Sequence, residues 1–159
     1  MKEESIPYTI PVYKLQLVQE GHATAMPVTG AAELAFQLKE IATADREHMV
    51  CIHLDTKNRP ISRQVISIGT LNASLIHPRE IFKAALLAGA GANSVILGHN
   101  HPSGDLSPSQ EDDEVTRRIA RAGALLCIPL LDHVILSPDG SFYSYKSERP
   151  DCLDGGGEL

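Results

Sequence analysis

The sequence lacks any long apolar run and any segment with the composition of a secretion signal. No stretch reaches the roughly 18 consecutive apolar residues that a membrane-spanning helix needs, so we expect no contact with a membrane. Acidic residues stand near the N-terminus, in MKEESIPYTI, where a signal peptide would carry a basic region followed by an apolar core. These absences argue against export, and we expect a cytoplasmic protein.

Cysteine is also scarce, and the three present, Cys51, Cys127 and Cys152, do not show the paired spacing of a zinc finger. An odd number of cysteines in a chain without an export signal predicts reduced thiols rather than disulfides. Apolar residues surround Cys51 and Cys127, which predicts that both pack in the core.

An excess of positive charge is absent as well, since the formal net charge is −6. This balance argues against a broadly basic nucleic-acid-binding face, because such binding depends mainly on neutralising phosphates. One local cluster, Arg117, Arg118 and Arg121, has helical spacing. It fits a solvated helix face or a small binding patch, and we favour the solvated face.

The chain is long and apolar enough for one globular domain, with 159 residues of which 43% are hydrophobic. Helical and strand-like patterns are interleaved along it, which predicts a mixed α and β fold. The predicted helices cover about 30–44, 78–88 and 108–123, and the predicted strands cover about 48–55, 60–68, 94–98, 127–137 and 141–146.

Three segments follow from these patterns. We predict an extended N-terminal arm over 1–28, a folded domain over 29–148 and a flexible tail over 149–159. Two prolines and an apolar–polar alternation favour the extended arm. An arm of this kind can exchange between protomers, which leaves a homo-oligomer open.

Local start signals place two of the helix boundaries. Thr29 is the expected N-cap of the first helix. Ser107 is the expected N-cap of the last one, with Pro108 in its first turn and Gln110 completing a capping box.

The segment with the clearest chemical meaning is HNHPSGDLSPSQED, over residues 99–112. His99 and His101 stand two residues apart at the end of a predicted strand, so their side chains fall on one face. A turn and a capped helix then bring Asp112 back toward them. Three ligands with an open fourth position are typical of catalytic rather than structural zinc sites. A bare His-x-His pair is common in loops by chance, but this strand, turn and helix context favours a metal site.

A few other polar residues have more than one interpretation. Asp132 and His133 fit a pair that orients a ligand imidazole, or a satisfied polar pair beside the core, and the sequence leaves both open. His53 lies within an apolar strand and is expected to be a core histidine. Asn100 faces away from the two neighbouring histidines and is expected to stabilise the loop.

The residues from His99 to Asp112 resemble the signature of the JAB/MPN/JAMM metalloproteases: histidine, any residue, histidine and proline, then serine, two residues and aspartate. Similarity to the RadC branch of that superfamily extends to the flanking segments GTLNASLIHPREIFKAAL and LLDHVI. The resemblance covers about residues 29–146. It implies a single MPN/JAMM-like domain of the α/β class (α+β type), with a mixed β-sheet flanked by helices in a cytidine-deaminase-like architecture.

The same resemblance implies one zinc ion per chain, held by His99, His101 and Asp112, with a bound water as the nucleophile. It also implies that Glu47, at the start of the first core strand, is the general base, although spacing alone favours an ordinary solvated acid. Ser109 would help to hold the carbonyl oxygen as negative charge develops on it.

We therefore expect a zinc-dependent metallohydrolase, a metallopeptidase or isopeptidase whose substrate is a peptide or protein. One alternative is a non-catalytic MPN-type module that binds or scaffolds other proteins. Another is a metal-dependent factor associated with DNA repair. Full-length RadC-like proteins carry an additional segment resembling helix-hairpin-helix modules, whereas this sequence has only a short arm there, so DNA is the weaker expectation.

Overall fold

A computed structural model describes residues 26–69, 76–88 and 91–156. The predicted N-terminal arm lies outside the described residues as far as residue 25. Within the described ranges the elements run in the order α1 (Ala31–Gln37), α2 (Lys39–Ala42), β1 (His48–Leu54), β2 (Pro60–Ile68), α3 (Pro78–Leu87), β3 (Ser94–Asn100), α4 (Gln110–Leu125), β4 (Leu130–Leu136), β5 (Phe142–Ser144) and α5 (Tyr145–Glu148), followed by a 3-10 turn (Pro150–Cys152).

One five-stranded sheet organises the domain, with the strand order β2-β1-β3-β4-β5. β1 is antiparallel to both β2 and β3, β3 is parallel to β4, and β4 is antiparallel to β5. The α4 helix supplies the long connection that a parallel pair requires. The mixed sheet flanked by helices confirms the predicted fold class.

Apolar side chains cover both faces of the central strands. All seven residues of β3 are buried, as are six of the seven in β1. On one face α3 and α4 pack over Met49, Cys51 and Leu97. On the other face α1 and α2 pack over Val50 and Ile96. The continuous apolar runs of these strands follow from burial on two sides.

The predicted helix over 30–44 is two short helices in the structure. Leu38 separates them with φ −103° and ψ 13°, and it packs against β3 where a Cβ on Gly98 would lie 2.6 Å from its Cδ1. The N-cap is Gly30 rather than Thr29, because the Gly30 carbonyl accepts the first helical hydrogen bond, from the amide of Leu34.

The start of α4 also differs from its prediction. Ser109, not Ser107, is the N-cap, and Asp112 rather than Gln110 completes the capping box. The Asp112 carboxylate accepts hydrogen bonds from both the amide and the hydroxyl of Ser109, which lies three residues before it, and this pairing makes Ser109 the N-cap.

The C-terminal end of α4 corrects a second expectation. Cys127 adopts φ 56° and is exposed, so its predicted core position is wrong. This left-handed residue follows the helix, and the next strand starts only at Leu130. Cys51 and Cys152 are buried, and all three thiols are free.

The predicted flexible tail over 149–159 differs from the structure for residues 149–156. Cys152 is buried against Ile135 and Tyr145, which ties the 3-10 turn to the sheet. Tyr145 itself begins α5, so the predicted strand over 141–146 ends at Ser144, whose hydroxyl accepts a hydrogen bond from the Ser147 amide.

Among the described residues, no helix combines the length and apolar character needed to cross a membrane.

Candidate metal centre

Three side chains from β3, the loop after it and α4 meet at one point. His99 is fully buried, Asp112 is 1% exposed, and His101 is partly exposed. The Nε2 atoms of His99 and His101 are 2.9 Å apart. Asp112 Oδ1 lies 3.2 Å from His99 Nε2, and Asp112 Oδ2 lies 3.6 Å from His101 Nε2. The structure therefore brings together the three predicted ligands.

Their donor atoms fit a small divalent cation. One ligand atom from each residue can be chosen so that all lie within 4.8 Å of one another. In a tetrahedral zinc site with bonds near 2.1 Å, neighbouring ligand atoms lie about 3.4 Å apart, close to the distances between these three side chains. Asp112 Oδ1 is buried and makes no hydrogen bond, although such an oxygen normally has a partner. A bound cation would satisfy it.

Ser109 orients the Asp112 carboxylate. Both the amide and the hydroxyl of Ser109 donate hydrogen bonds to Asp112 Oδ2, at 2.8 and 2.7 Å, and the Asp112 amide donates back to the hydroxyl at 3.1 Å. Oδ2 is thereby occupied, and Oδ1 lies toward His99. The Ser109 hydroxyl hydrogen thus points at a ligand, whereas the predicted oxyanion role requires it to turn into the cleft.

His101 is held by the turn that follows it. Its amide donates to the carbonyl of Leu136 at 2.9 Å, and its Nδ1 contacts the carbonyl of Asp105. A carbonyl can only accept, so His101 Nδ1 carries a hydrogen, and in the neutral ring Nε2 is the nitrogen left for a cation. Gly104 closes this turn at φ 81°, a conformation that glycine adopts without strain.

The charges of the site are coupled. Burial alone would raise the pKa of Asp112, but the neighbouring imidazoles of His101 and His99 outweigh it and hold that pKa well below its usual value. Asp112 in turn raises the pKa of His101, against the opposing effect of burial. A carboxylate that stays ionised beside two imidazoles is the charge arrangement that a divalent cation needs.

Glu47 stands immediately before β1 and lines the same cleft as His101, Ser109 and Asp112. The cleft has a volume of about 390 Å³ and opens to solvent. The negative charge of Glu47 is one of the influences that raise the pKa of His101, which places it in the electrostatic range of the centre.

Asn100 holds the backbone around Glu47. Its Oδ1 accepts a hydrogen bond from the His48 amide at 2.7 Å, and its Nδ2 donates to the carbonyl of Arg46 at 3.0 Å. The sequence predicted that Asn100 stabilises a loop, but not that this loop carries the candidate base.

The sequence left open whether Asp132 and His133 orient a ligand imidazole or form a satisfied polar pair beside the core, and in the structure the two residues differ. His133 is fully buried with its Nε2 2.8 Å from Nδ1 of His99, so it contacts a candidate ligand. Burial holds the pKa of His133 well below its usual value. Asp132 instead accepts hydrogen bonds from Ser144 and from the Lys146 amide, and it joins β4 to the following segment.

The remaining polar candidates lie apart from the centre. His53 is buried with its Nδ1 2.6 Å from the Ser62 hydroxyl, and burial lowers its pKa to about 4. Arg117 and Arg118 lie near acids of their own helix, with Arg117 3.8 Å from Asp113, which agrees with the solvated-face interpretation.

Thr116 was missed by the sequence interpretation. Its hydroxyl donates to the carbonyl of Asp112 at 2.6 Å and lies 2.7 Å from Nδ1 of His133. The one available signal was its position, four residues after Asp112 and therefore on the same helix face.

Comparison with known proteins shows the family of the chain. A model described as the RadC-like JAB domain matches residues 29–150. The chain belongs to this family. The predicted resemblance is confirmed, and the His-x-His and Ser-x-x-Asp residues of this RadC-like JAB domain are the ones that converge in the structure.

This RadC-like JAB domain is similar to UPF0758 proteins of several organisms. A UPF0758 protein of Methanococcoides burtonii is 52% identical over 103 residues, which cover 65% of this chain and 44% of the relative. One from Shouchella clausii is 47% identical over 131 residues, covering 81% and 56%. One from Rubrobacter xylanophilus is 56% identical over 106 residues, covering 67% and 45%. The chain spans about half the length of the curated relatives it matches.

Proposed function

We propose that this RadC-like JAB domain is a zinc-dependent metallohydrolase that cleaves a peptide or isopeptide bond. The observation that carries the proposal is the buried Oδ1 of Asp112, which makes no hydrogen bond and lies 3.2 Å from His99 Nε2, beside the cleft that His101 and Asp112 line. Glu47 lines the same cleft. Three ligands, an open approach and a nearby acid are the elements of a hydrolytic site.

His99, His101 and Asp112 are the residues that would hold the metal. The chemistry that zinc supplies in such a site is a water made nucleophilic near neutral pH and a polarised carbonyl group. Glu47 is the group that accepts a proton from the attacking water and passes it to the leaving amine. Ser109 keeps the Asp112 carboxylate in its orientation, and a turn of its hydroxyl toward the cleft would let it donate to the developing oxyanion.

The metal assignment is tested by metal content. We expect purified protein to hold one equivalent of zinc, and His99→Ala and Asp112→Ala to lose it. His77→Ala is the matched control, because this histidine makes no side-chain cap hydrogen bond at the start of α3 and lies outside the cleft. Stoichiometric zinc that survives both ligand substitutions would overturn the site.

Turnover is tested separately, with peptide and isopeptide libraries. Glu47→Gln is expected to retain zinc and to lose about 100-fold or more in rate, the usual contribution of a general base. Glu111→Gln changes another acid that lines the cleft and is expected to keep most of the rate. An equal rate in Glu47→Gln and wild type would refute the base. Bound zinc with no hydrolysis by wild type would favour the non-catalytic module instead.

A further inference from the structure

A buried chain of hydrogen bonds runs behind His99, on the side away from the cleft. His99 Nδ1 lies 2.8 Å from His133 Nε2, and His133 Nδ1 lies 2.7 Å from the Thr116 hydroxyl. Thr116 then donates to the carbonyl of Asp112 at 2.6 Å. His99, His133 and Thr116 are fully buried, and the chain begins and ends on two of the candidate ligands.

The Thr116 hydroxyl, at the end of this series of hydrogen bonds, determines which atom donates and which accepts at each step. A carbonyl oxygen only accepts, so the single hydrogen of the Thr116 hydroxyl goes to Asp112. Toward His133 the hydroxyl must therefore accept, which places a hydrogen on His133 Nδ1. Full burial disfavours a charged ring, so His133 Nε2 carries a lone pair. His99 Nδ1 must then donate its hydrogen to His133, and in a neutral His99 ring Nε2 is the nitrogen left for a cation.

Neighbouring residues hold the His133 ring in this position. It stacks on Tyr145 with ring centroids 5.1 Å apart and an interplanar angle of 8°. The Tyr145 hydroxyl donates to Asp113 at 2.9 Å, and the His133 amide donates to Asp132 at 2.7 Å. Both the ring and the strand that bears it are thereby fixed.

We propose that His133 is a positioning residue that keeps the hydrogen of the His99 ring on Nδ1. Thr116 donates its hydroxyl hydrogen to the Asp112 carbonyl and thereby determines which nitrogen of His133 carries a hydrogen. The inference rests on the proposed metal role of His99. Outer hydrogen-bond partners of metal-binding histidines fix the ring and the tautomer, and their loss commonly weakens metal binding 10- to 100-fold. Here the same chain also links two ligands through the protein interior.

Zinc affinity of variants is the first test, measured by competition with a chromogenic chelator. His133→Phe keeps a flat ring but removes the acceptor, and we expect zinc to bind about 10- to 100-fold more weakly. His133→Gln restores an amide oxygen as acceptor and is expected to recover part of the loss. Thr116→Val leaves the His133 tautomer unselected and should weaken binding by a smaller factor.

His53→Phe is the matched control, because it makes the same replacement at another buried histidine that lies outside the cleft. We expect its zinc affinity to equal that of wild type. Wild-type zinc affinity in His133→Phe would overturn the proposal, as would an equal loss in His53→Phe, since that would show a general effect of core disruption.

Nitrogen-15 NMR of the His99 ring in metal-free wild-type protein is the second test, and it needs no variant to fold. The expected signature is a protonated His99 Nδ1, and a His99 ring without a hydrogen on Nδ1 would overturn the proposal. Neither test uses turnover. An inactive protein with the expected tautomer and affinities would therefore refute the hydrolase proposal and leave the role of His133 intact.

Discussion

The side-chain oxygen of Asn100 accepts a hydrogen bond from the backbone amide of His48 at 2.7 Å, across 52 residues of sequence. The same side chain donates to the carbonyl of Arg46 at 3.0 Å. These two peptide groups flank Glu47, so the residue between the two motif histidines anchors the main chain that carries the candidate base. The tripeptide at 99–101 thus supplies two candidate ligands and one anchor.

Replacing Asn100 should separate turnover from metal binding. Asn100→Ala leaves the His48 amide and the Arg46 carbonyl without this partner, and we expect a loss of about 1–3 kcal/mol in the free energy of unfolding. We expect hydrolysis to fall more steeply than zinc affinity, because Glu47 loses its position while the ligands keep theirs. Asn93→Ala removes an exposed asparagine near the start of β3 and should match wild type in both measurements. Zinc loss equal to the loss of rate would contradict this role.

The cap of α4 provides a second prediction. Ser109→Ala removes the hydroxyl that caps the helix and holds Asp112 Oδ2, so we expect a loss of about 1 kcal/mol in the free energy of unfolding, together with weaker zinc binding. Ser107→Ala removes the other serine that the sequence favoured and should leave helix stability unchanged. Urea denaturation and chelator competition on both variants measure this difference.

The outcome for zinc also bears on the oxyanion role. If the Ser109 hydroxyl acted only on the substrate, Ser109→Ala would slow hydrolysis with zinc affinity at the wild-type value. If the hydroxyl instead orients Asp112, both the hydrolysis rate and the zinc affinity of Ser109→Ala should fall.

His53 should give the folded protein a defined dependence on pH. Burial lowers its folded-state pKa from 6.5 to about 4, so the unfolded chain binds a proton between these values while the folded protein does not. Its contribution to stability is therefore complete above pH 6.5 and is lost as the pH falls toward 4, by about 3 kcal/mol at most. Urea denaturation of metal-free protein should show a shallower fall over this range in His53→Gln than in wild type. Identical pH slopes would exclude the burial effect.

Replacing Gly123 by alanine should lower the free energy of unfolding, whereas this substitution usually raises it in a helix. In an unconstrained helix interior, Gly→Ala stabilises by about 1 kcal/mol. Here a Cβ on Gly123 would lie 2.5 Å from the Ile128 carbonyl oxygen and 3.1 Å from Phe82 Cζ. We expect Gly123→Ala to destabilise by about 1–3 kcal/mol, because the backbone of the following loop must move. A higher urea midpoint in this variant would show that the loop adapts freely.

Much of the fold was predictable because its signals are local. The continuous apolar run before His99 predicted a buried strand, and β3 is buried throughout. The spacing of Ser109 and Asp112 lies within one helical turn, so it reports on one helix face without any knowledge of the tertiary structure. The errors fell at element ends, at Thr29 and Ser107, where several capping residues competed within a few positions.

The exposure of Cys127 and the order of residues 149–156 were not predictable in the same way. The apolar neighbours of Cys127 suggested burial, but its left-handed backbone turns the chain between α4 and β4 and leaves the thiol outside. The polar, glycine-rich tail suggested fraying, yet one side chain, Cys152, is buried against the sheet and orders the turn around it. In the tail, a single tertiary contact therefore outweighs composition.

The sequence by itself determined the family, the mixed α/β class and the three candidate ligands, because each depends on residue types at short fixed spacings. Only the tertiary structure decided that His133 lies against His99 and that Asn100 anchors the backbone around Glu47. These contacts join residues 34 and at least 52 positions apart. Strand pairing and helix packing create such contacts, and no local periodicity encodes them.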